Sequence, residues 1–232
     1  METGKTSKYL KYAIGEIILV VIGILIALQI NNWNEGRKRI EKEQQALIEI
    51  VSDLDAVIFR LEEMKFSAKS NITNNIKSIH ILSNHLKLKK PYHDSLKVHF
   101  VNCFTYPNPL FKISGYETLS SMGMDIILDT KLRSEIGLFF TKSKASVDGQ
   151  YREVRDDFYN YMLDYMRKEF IYNDDNNLLP KDYLTLQNNG EFLQSLMIFG
   201  KVYDSYENAT SSTLNEAYEL KKLINEYIKN RN

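Results

Sequence analysis

The sequence predicts an all-α protein: an N-terminal transmembrane helix that continues into an elongated bundle of three long helices, with short helices inserted. Three observations carry this expectation. Residues 12–30, YAIGEIILVVIGILIALQI, are almost uninterruptedly apolar. Beyond them, apolar residues recur at alternating steps of three and four over runs far longer than the roughly four to eight residues of a strand. Proline is scarce (4) and glycine modest (10) in 232 residues, which suits long helices better than a sandwich or barrel.

The apolar run comes first. At about 1.5 Å per residue its helix spans about 28 Å, close to the roughly 30 Å hydrocarbon core of a bilayer. Only a helix satisfies its own backbone there, which an isolated strand cannot do. Lys5, Lys8 and Lys11 precede the run, and Trp33 follows it among asparagines, so Trp33 is the expected interface anchor. A cleaved signal peptide fits poorly, because the run exceeds the usual roughly 7 to 15 residues and no small-x-small cleavage site follows. The chain therefore divides into a tail (1–11), a transmembrane helix with its interface (12–34) and a helical domain (35–232). Arg37, Lys38, Arg39 and Lys42 nearly balance the three N-terminal lysines, so charge alone does not orient the span. Long domains translocate largely regardless of charge. The tail is accordingly expected in the cytoplasm and the domain outside it.

Small and polar residues of the span share one stripe. Ala13, Glu16, Val20, Gly23, Ala27 and Ile30 alternate steps of three and four, the seam of a heptad. Gly23 and Ala27 form a small-xxx-small pair of the kind that lets two membrane helices approach closely. The expected membrane-helix association face is Glu16, Val20, Gly23 and Ala27. Glu16 either reaches the headgroups or a lysine, or faces a partner helix or proton path along that seam.

The same spacing continues through Ile40, Leu47, Val51, Leu54, Ile58, Leu61, Ile72, Ile79, Leu82 and Leu86. It predicts one helix over 35–88, running on from the membrane, with the polar stretch 70–75 as the place for a break. Pro91 ends it. A short helix over 94–104 and an irregular stretch at Tyr106-Pro107-Asn108-Pro109 follow. Ser114 and Glu117 read as a capping box opening a brief helix, 115–122, that Gly123 stops. Asp129 or Thr130 caps a long segment, 131–172, with Asp148-Gly149 as the place for a kink. Its tyrosine-rich face reads as core. Residues 173–179 read as a loop with a minor turn at Pro180, and the last helix covers 191–229.

Lys+Arg and Asp+Glu are equal at 30 each, so no excess charge points to nucleic acid. Cys103 is the single cysteine and forms no intrachain disulfide. His99 and Cys103 share a helical face but make only two of the four ligands that structural zinc needs. The lysine run in LKLKK, 86–90, reads as a solvated loop, and the pairs Asp156-Asp157 and Asp174-Asp175 as solvated carboxylates. No phosphate loop, nucleophile elbow or metalloprotease motif is present. No enzymatic activity, cofactor or metal is expected.

The block SKYLKYAIGEIILVVIGILIALQINNWNE, 7–35, closely resembles the opening of a large uncharacterised family of membrane-anchored bacterial proteins. The stretch SGYETLSSMGMDIILDTKLRSEI, 114–136, is similar to that family's second recurring pattern, an aromatic-acidic pair and a glycine turn before a Leu-Arg helix start. The resemblance implies an inner-membrane location and a periplasmic helical domain, and it assigns no catalytic residue. The expected function is that of an interaction or scaffold component acting through helix association. Its partners would be the lipid bilayer and either further copies of the chain or another membrane protein. The alternative is a periplasmic ligand-binding or sensor module working with a separate partner. A tail of about eleven residues hardly supplies a signalling output alone, which favours the scaffold.

Overall fold

The computed structural model describes residues 3–67, 71–173 and 177–231, with the side chains of the first helix from residue 15 onward. The side chains of Lys5, Lys8, Lys11, Tyr12 and Ala13, as well as Ser70 and the Asp174-Asp175 pair, lie outside the described residues.

Helix α1, Thr3–Phe66, runs unbroken for 64 residues through the apolar run and on into the domain. Gly36 does not interrupt it, and i,i+3 and i,i+4 pairs such as Lys38–Glu35 (3.4 Å) and Arg37–Glu41 (3.7 Å) line the exposed stretch beyond. The first buried residue is Glu43. Helix α2, Ile72–Lys87, then continues the same direction. The single helix expected over 35–88 is therefore two helices. Asn71 has extended backbone angles (φ −144°, ψ 156°), and its side chain accepts from the Asn74 N–H at 2.6 Å, which caps a new helix.

The periodicity nevertheless ran across that break for a reason. Both helices pack along one partner, α9, Gly190–Lys229, and contacts descend α9 as they climb α1 and α2. Glu43 meets Tyr227 and Arg231, Asp55 meets Lys221 at 2.5 Å, and Lys65 meets Glu207 at 2.8 Å. Asn75 then donates to the Tyr203 hydroxyl at 3.1 Å, and Ile79 packs on Gly200, where an added Cβ would lie 2.9 Å from Ile79 Cγ2.

A second column returns to the start. It consists of α3 (Leu96–Cys103), an extended stretch over 104–113, α4 (Ser114–Met122) and a 3₁₀ turn (Met124–Ile126). The extended stretch lacks a helical ladder, so side chains of the long helices take up its carbonyls. Asn75 donates to Thr105 O at 2.7 Å, and the Tyr203 hydroxyl binds the same oxygen. The Tyr206 hydroxyl donates to Pro107 O at 2.8 Å, and Arg60 Nε to Asn108 O at 3.0 Å. Burial pushes the pKa of both Tyr203 and Tyr206 up, which keeps these hydroxyls donors.

Helix α4 is capped in an unexpected way. Ser114 is already helical and makes no capping bond, so the capping box with Glu117 does not form. The carboxylate of Asp53 on α1 accepts from Tyr116 N–H at 2.7 Å instead. Gly115 permits this approach, since a Cβ there would lie 2.8 Å from the Glu49 carbonyl oxygen. Gly123, at φ +103°, ends the helix as expected.

The third column runs α5 (Thr130–Leu138), a π turn (Phe139–Ser143), α6 (Lys144–Asp157), a second π turn (Phe158–Met162) and α7 (Leu163–Glu169). Asp129 caps α5 by accepting from Leu132 N–H at 2.8 Å. No break occurs at Asp148-Gly149, which lies inside α6. The irregularities fall where the buried residues step by four, Leu132–Ile136–Phe140 and Val154–Phe158–Met162. In a regular α-helix such steps drift about 40° each, and the wider π turn offsets that drift. The tyrosine face is only partly core: Tyr151 and Tyr165 pack against it, whereas Tyr161 is exposed.

Strands β1 (Phe170–Tyr172) and β2 (Leu178–Pro180) pair antiparallel as a small hairpin; β1 takes the last residues of the helical segment expected over 131–172, and β2 lies where a loop and a minor turn were expected. Phe170 fixes it to the far end of the bundle through Phe100 and Phe104, with ring centroids 5.2 Å away in each case. Helix α8, Tyr183–Asn188, follows, and α9 returns along the whole assembly. Apart from this hairpin, the fold is the expected all-α bundle, with its elements arranged as four antiparallel columns.

Candidate functional site

Glu16, Val20, Gly23 and Ala27 all lie on the described, apolar part of α1 and are exposed. This helix is long and apolar enough to cross a membrane, and among the described residues nothing covers its apolar stretch. A Cβ added at Gly23 would meet nothing within 4 Å, so the domain does not occupy the space beside Gly23. Trp33 is also exposed, and the Arg37 guanidinium sits over its ring at 5.6 Å. This pair places an aromatic amphipath and a cation at the end of the apolar run, as an interface requires.

The direction of the stripe follows from helix geometry. Counted at about 100° per residue, Glu16, Val20, Gly23 and Ala27 cluster within about 60°. The residues that α1 gives to the core are Leu47, Ile50, Leu54, Val57 and Leu61, all fully buried. They cluster on the opposite side, about 170° away. On this ideal-helix count the stripe lies off the direction of the core residues, and the soluble heptad seam is consumed inside the domain.

What continues the stripe is a set of apolar residues off that seam. Ile48, Phe59 and Phe66 are 60%, 68% and 67% exposed, and lie within about 50° of the stripe's direction on the same count. Sequence reasoning followed the dominant period and passed over them. Their signal was present as isolated large apolar residues at polar positions, spaced 11 and 7 apart.

Between the apolar run and the core sits one charged junction. The Glu43 carboxylate, fully buried, accepts from Leu128 N–H at 2.7 Å and the Tyr227 hydroxyl at 2.9 Å, and pairs with Arg231. It joins α1, the turn before α5 and the end of α9 at the base of the domain. Burial and the bond to Glu43 push Tyr227 up to about 12, so it remains a donor at neutral pH.

His99 and Cys103 each turn to a local partner. His99 meets Ser78 Oγ at 3.0 Å through Nδ1, and burial holds its pKa below the usual imidazole value. Cys103 is buried and donates to Phe100 O at 3.2 Å, and burial pushes its thiol far above the usual range. Among the described residues no group of three or more His, Cys, Asp or Glu side chains is placed to hold a metal ion. The lysine run is not simply solvated: Lys89 Nζ donates to Gln187 O at 2.6 Å and to Asn188 Oδ1 at 2.8 Å, tying the loop to the end of α8.

Comparison with curated proteins finds no match, and comparison with solved structures finds none either. A family model does match, over residues 16–132, which takes in the exposed stripe, Glu43 and its partner Leu128, the first two columns from residue 16 onward and the start of α5. On that match, covering half of its length, the chain belongs to the Family of unknown function (DUF6090).

Proposed function

We propose that this protein is a single-pass component of the bacterial inner membrane that acts by association rather than by catalysis. Its N-terminal tail lies in the cytoplasm and its domain in the periplasm. The observation that carries this reading is the shared direction of the Glu16–Val20–Gly23–Ala27 stripe and the exposed residues Ile48, Phe59 and Phe66. Two copies anchored in one bilayer have the same orientation, so parallel α1 helices present the same face to each other. The bundle lies on the far side and does not obstruct them. Gly23 and Ala27 allow close backbone approach within lipid, and Glu16 adds an interhelical hydrogen bond worth roughly 0.6 to 2 kcal/mol.

A membrane two-hybrid assay of the full chain tests this. Gly23→Leu with Ala27→Leu is expected to weaken self-association, whereas Ile18→Leu and Leu25→Ile, on the opposite side of the helix, are expected to leave it intact. Equal behaviour of the two pairs would reduce the anchor to a tether. Phe59→Asp with Phe66→Asp asks separately whether the contact extends beyond the bilayer.

A further inference from the structure

We propose that the groove between the first π turn and the C-terminal half of α9 is a docking site for a basic amphipathic helix of a partner protein. The groove is distinct from the outward face of α1 and does not depend on self-association. It encloses about 610 Å³, and its apolar floor includes Leu138, Phe139, Leu220 and Leu223. Leu138 is 50% exposed and Leu223 36% exposed.

The groove is held open by its own hydrogen bonds. Thr213 Oγ1 on α9 donates to the Ser143 carbonyl at 3.0 Å, at the end of the π turn. Ser143 Oγ donates to the Glu216 carboxylate, and Ser212 Oγ donates to its other oxygen at 2.8 Å. The two bonds that reach Ser143 tie the walls together at the base and fix their spacing, and the Ser212 bond holds Glu216 in place. The extra residue of a π turn re-aims its neighbours, a device common at functional sites. Here it leaves Leu138 facing outward beside α9.

Shape and charge choose the occupant. The α9 wall runs from Ala209 to Leu223, about 21 Å or four helical turns, a trough suited to apolar side chains at i, i+3, i+4 and i+7. Glu135, Glu216 and Glu219 border it, against Lys142 alone. A helix with lysine or arginine beside its apolar stripe matches that rim, and an acidic helix or anionic lipid is repelled. The outward face of a second copy fits less well, because beside Ile48, Phe59 and Phe66 the cations Arg37 and Lys221 are already engaged by Glu41 and Asp55.

The test uses the full-length protein in zwitterionic phosphatidylcholine nanodiscs, with the signal of empty nanodiscs subtracted. A labelled Leu/Lys amphipathic peptide of about 18 residues is titrated by fluorescence anisotropy beside a Leu/Glu peptide of the same pattern. The Leu/Lys peptide is expected to bind saturably and the Leu/Glu peptide not to. Leu223→Asp, and separately Glu135→Lys with Glu219→Lys, should each weaken binding by about tenfold or more. All three side chains are exposed, and the charge variant leaves the apolar floor intact, so it decides the matter if Leu223→Asp alters thermal unfolding. Absence of saturable Leu/Lys binding, equal binding of both peptides, or undiminished binding by the charge variant would each overturn the proposal.

Discussion

Two glycines show how far a single residue's role depends on what surrounds it. Gly115 seats α4 on α1, and a Cβ there would meet backbone, which cannot swing aside. Gly115→Ala is expected to destabilise the protein by about 1–3 kcal/mol in chemical denaturation. Gly149 lies inside α6 with nothing within 4 Å of an added Cβ, so Gly149→Ala should stabilise by about 0.5–1 kcal/mol in the same measurement. The Lys65–Glu207 pair gives a pH signature. Its hydrogen bond from Lys65 holds the Glu207 carboxyl below the usual glutamate value. A carboxyl whose pKa falls on folding contributes stability above its unfolded pKa and loses it as pH drops through the folded one. Glu207→Gln should therefore cost about 1 kcal/mol at pH 7, and thermal melts of variant and parent should converge only as pH falls through the lowered folded-state pKa of Glu207. None of these roles could be read from the sequence, where Gly115 and Gly149 are alike and Lys65 and Glu207 stand far apart.

At the scale of elements, period was legible wherever one face met one partner. The apolar run, α9 and the α1–α2 column follow from spacing alone, and the polar residues at 70–75 marked the right place for the break. Asn71 is what makes it a break, so Asn71→Ala should lower stability by about 1 kcal/mol through loss of the cap, read by urea denaturation. Elements held by backbone acceptors were not legible. A carbonyl of Thr105, Pro107 or Asn108 leaves no trace in its own side chain, and the residues that bind it lie 30 to 99 positions away. The capping box failed for a related reason: Asp53, distant in sequence, supplies the acceptor that Ser114 was expected to give. The π turns and the three-residue strands are shorter than the windows in which periodicity can be counted.

For the whole molecule, the testable matter is orientation. Cys103 is fully buried, so it contributes little background to thiol labelling of introduced cysteines. Cysteines placed at exposed positions such as Lys201 or Lys222 should react with a membrane-impermeant reagent once the outer membrane is opened and before the inner membrane is lysed. Protection at both, with labelling at residue 4, would invert the topology. The unbroken α1 has a mechanical consequence. Helices in bilayers lean by about 20° on average. With no hinge between the apolar run and Phe66, and α2 carrying the direction on, the far end stands roughly 75 Å from Trp33. A lean of about 20° then swings that end sideways by about 25 Å. If the apolar run lies in lipid as proposed, the helix is a lever with its short arm there, and small changes of lean at that end become large displacements of the hairpin and α8 at the tip.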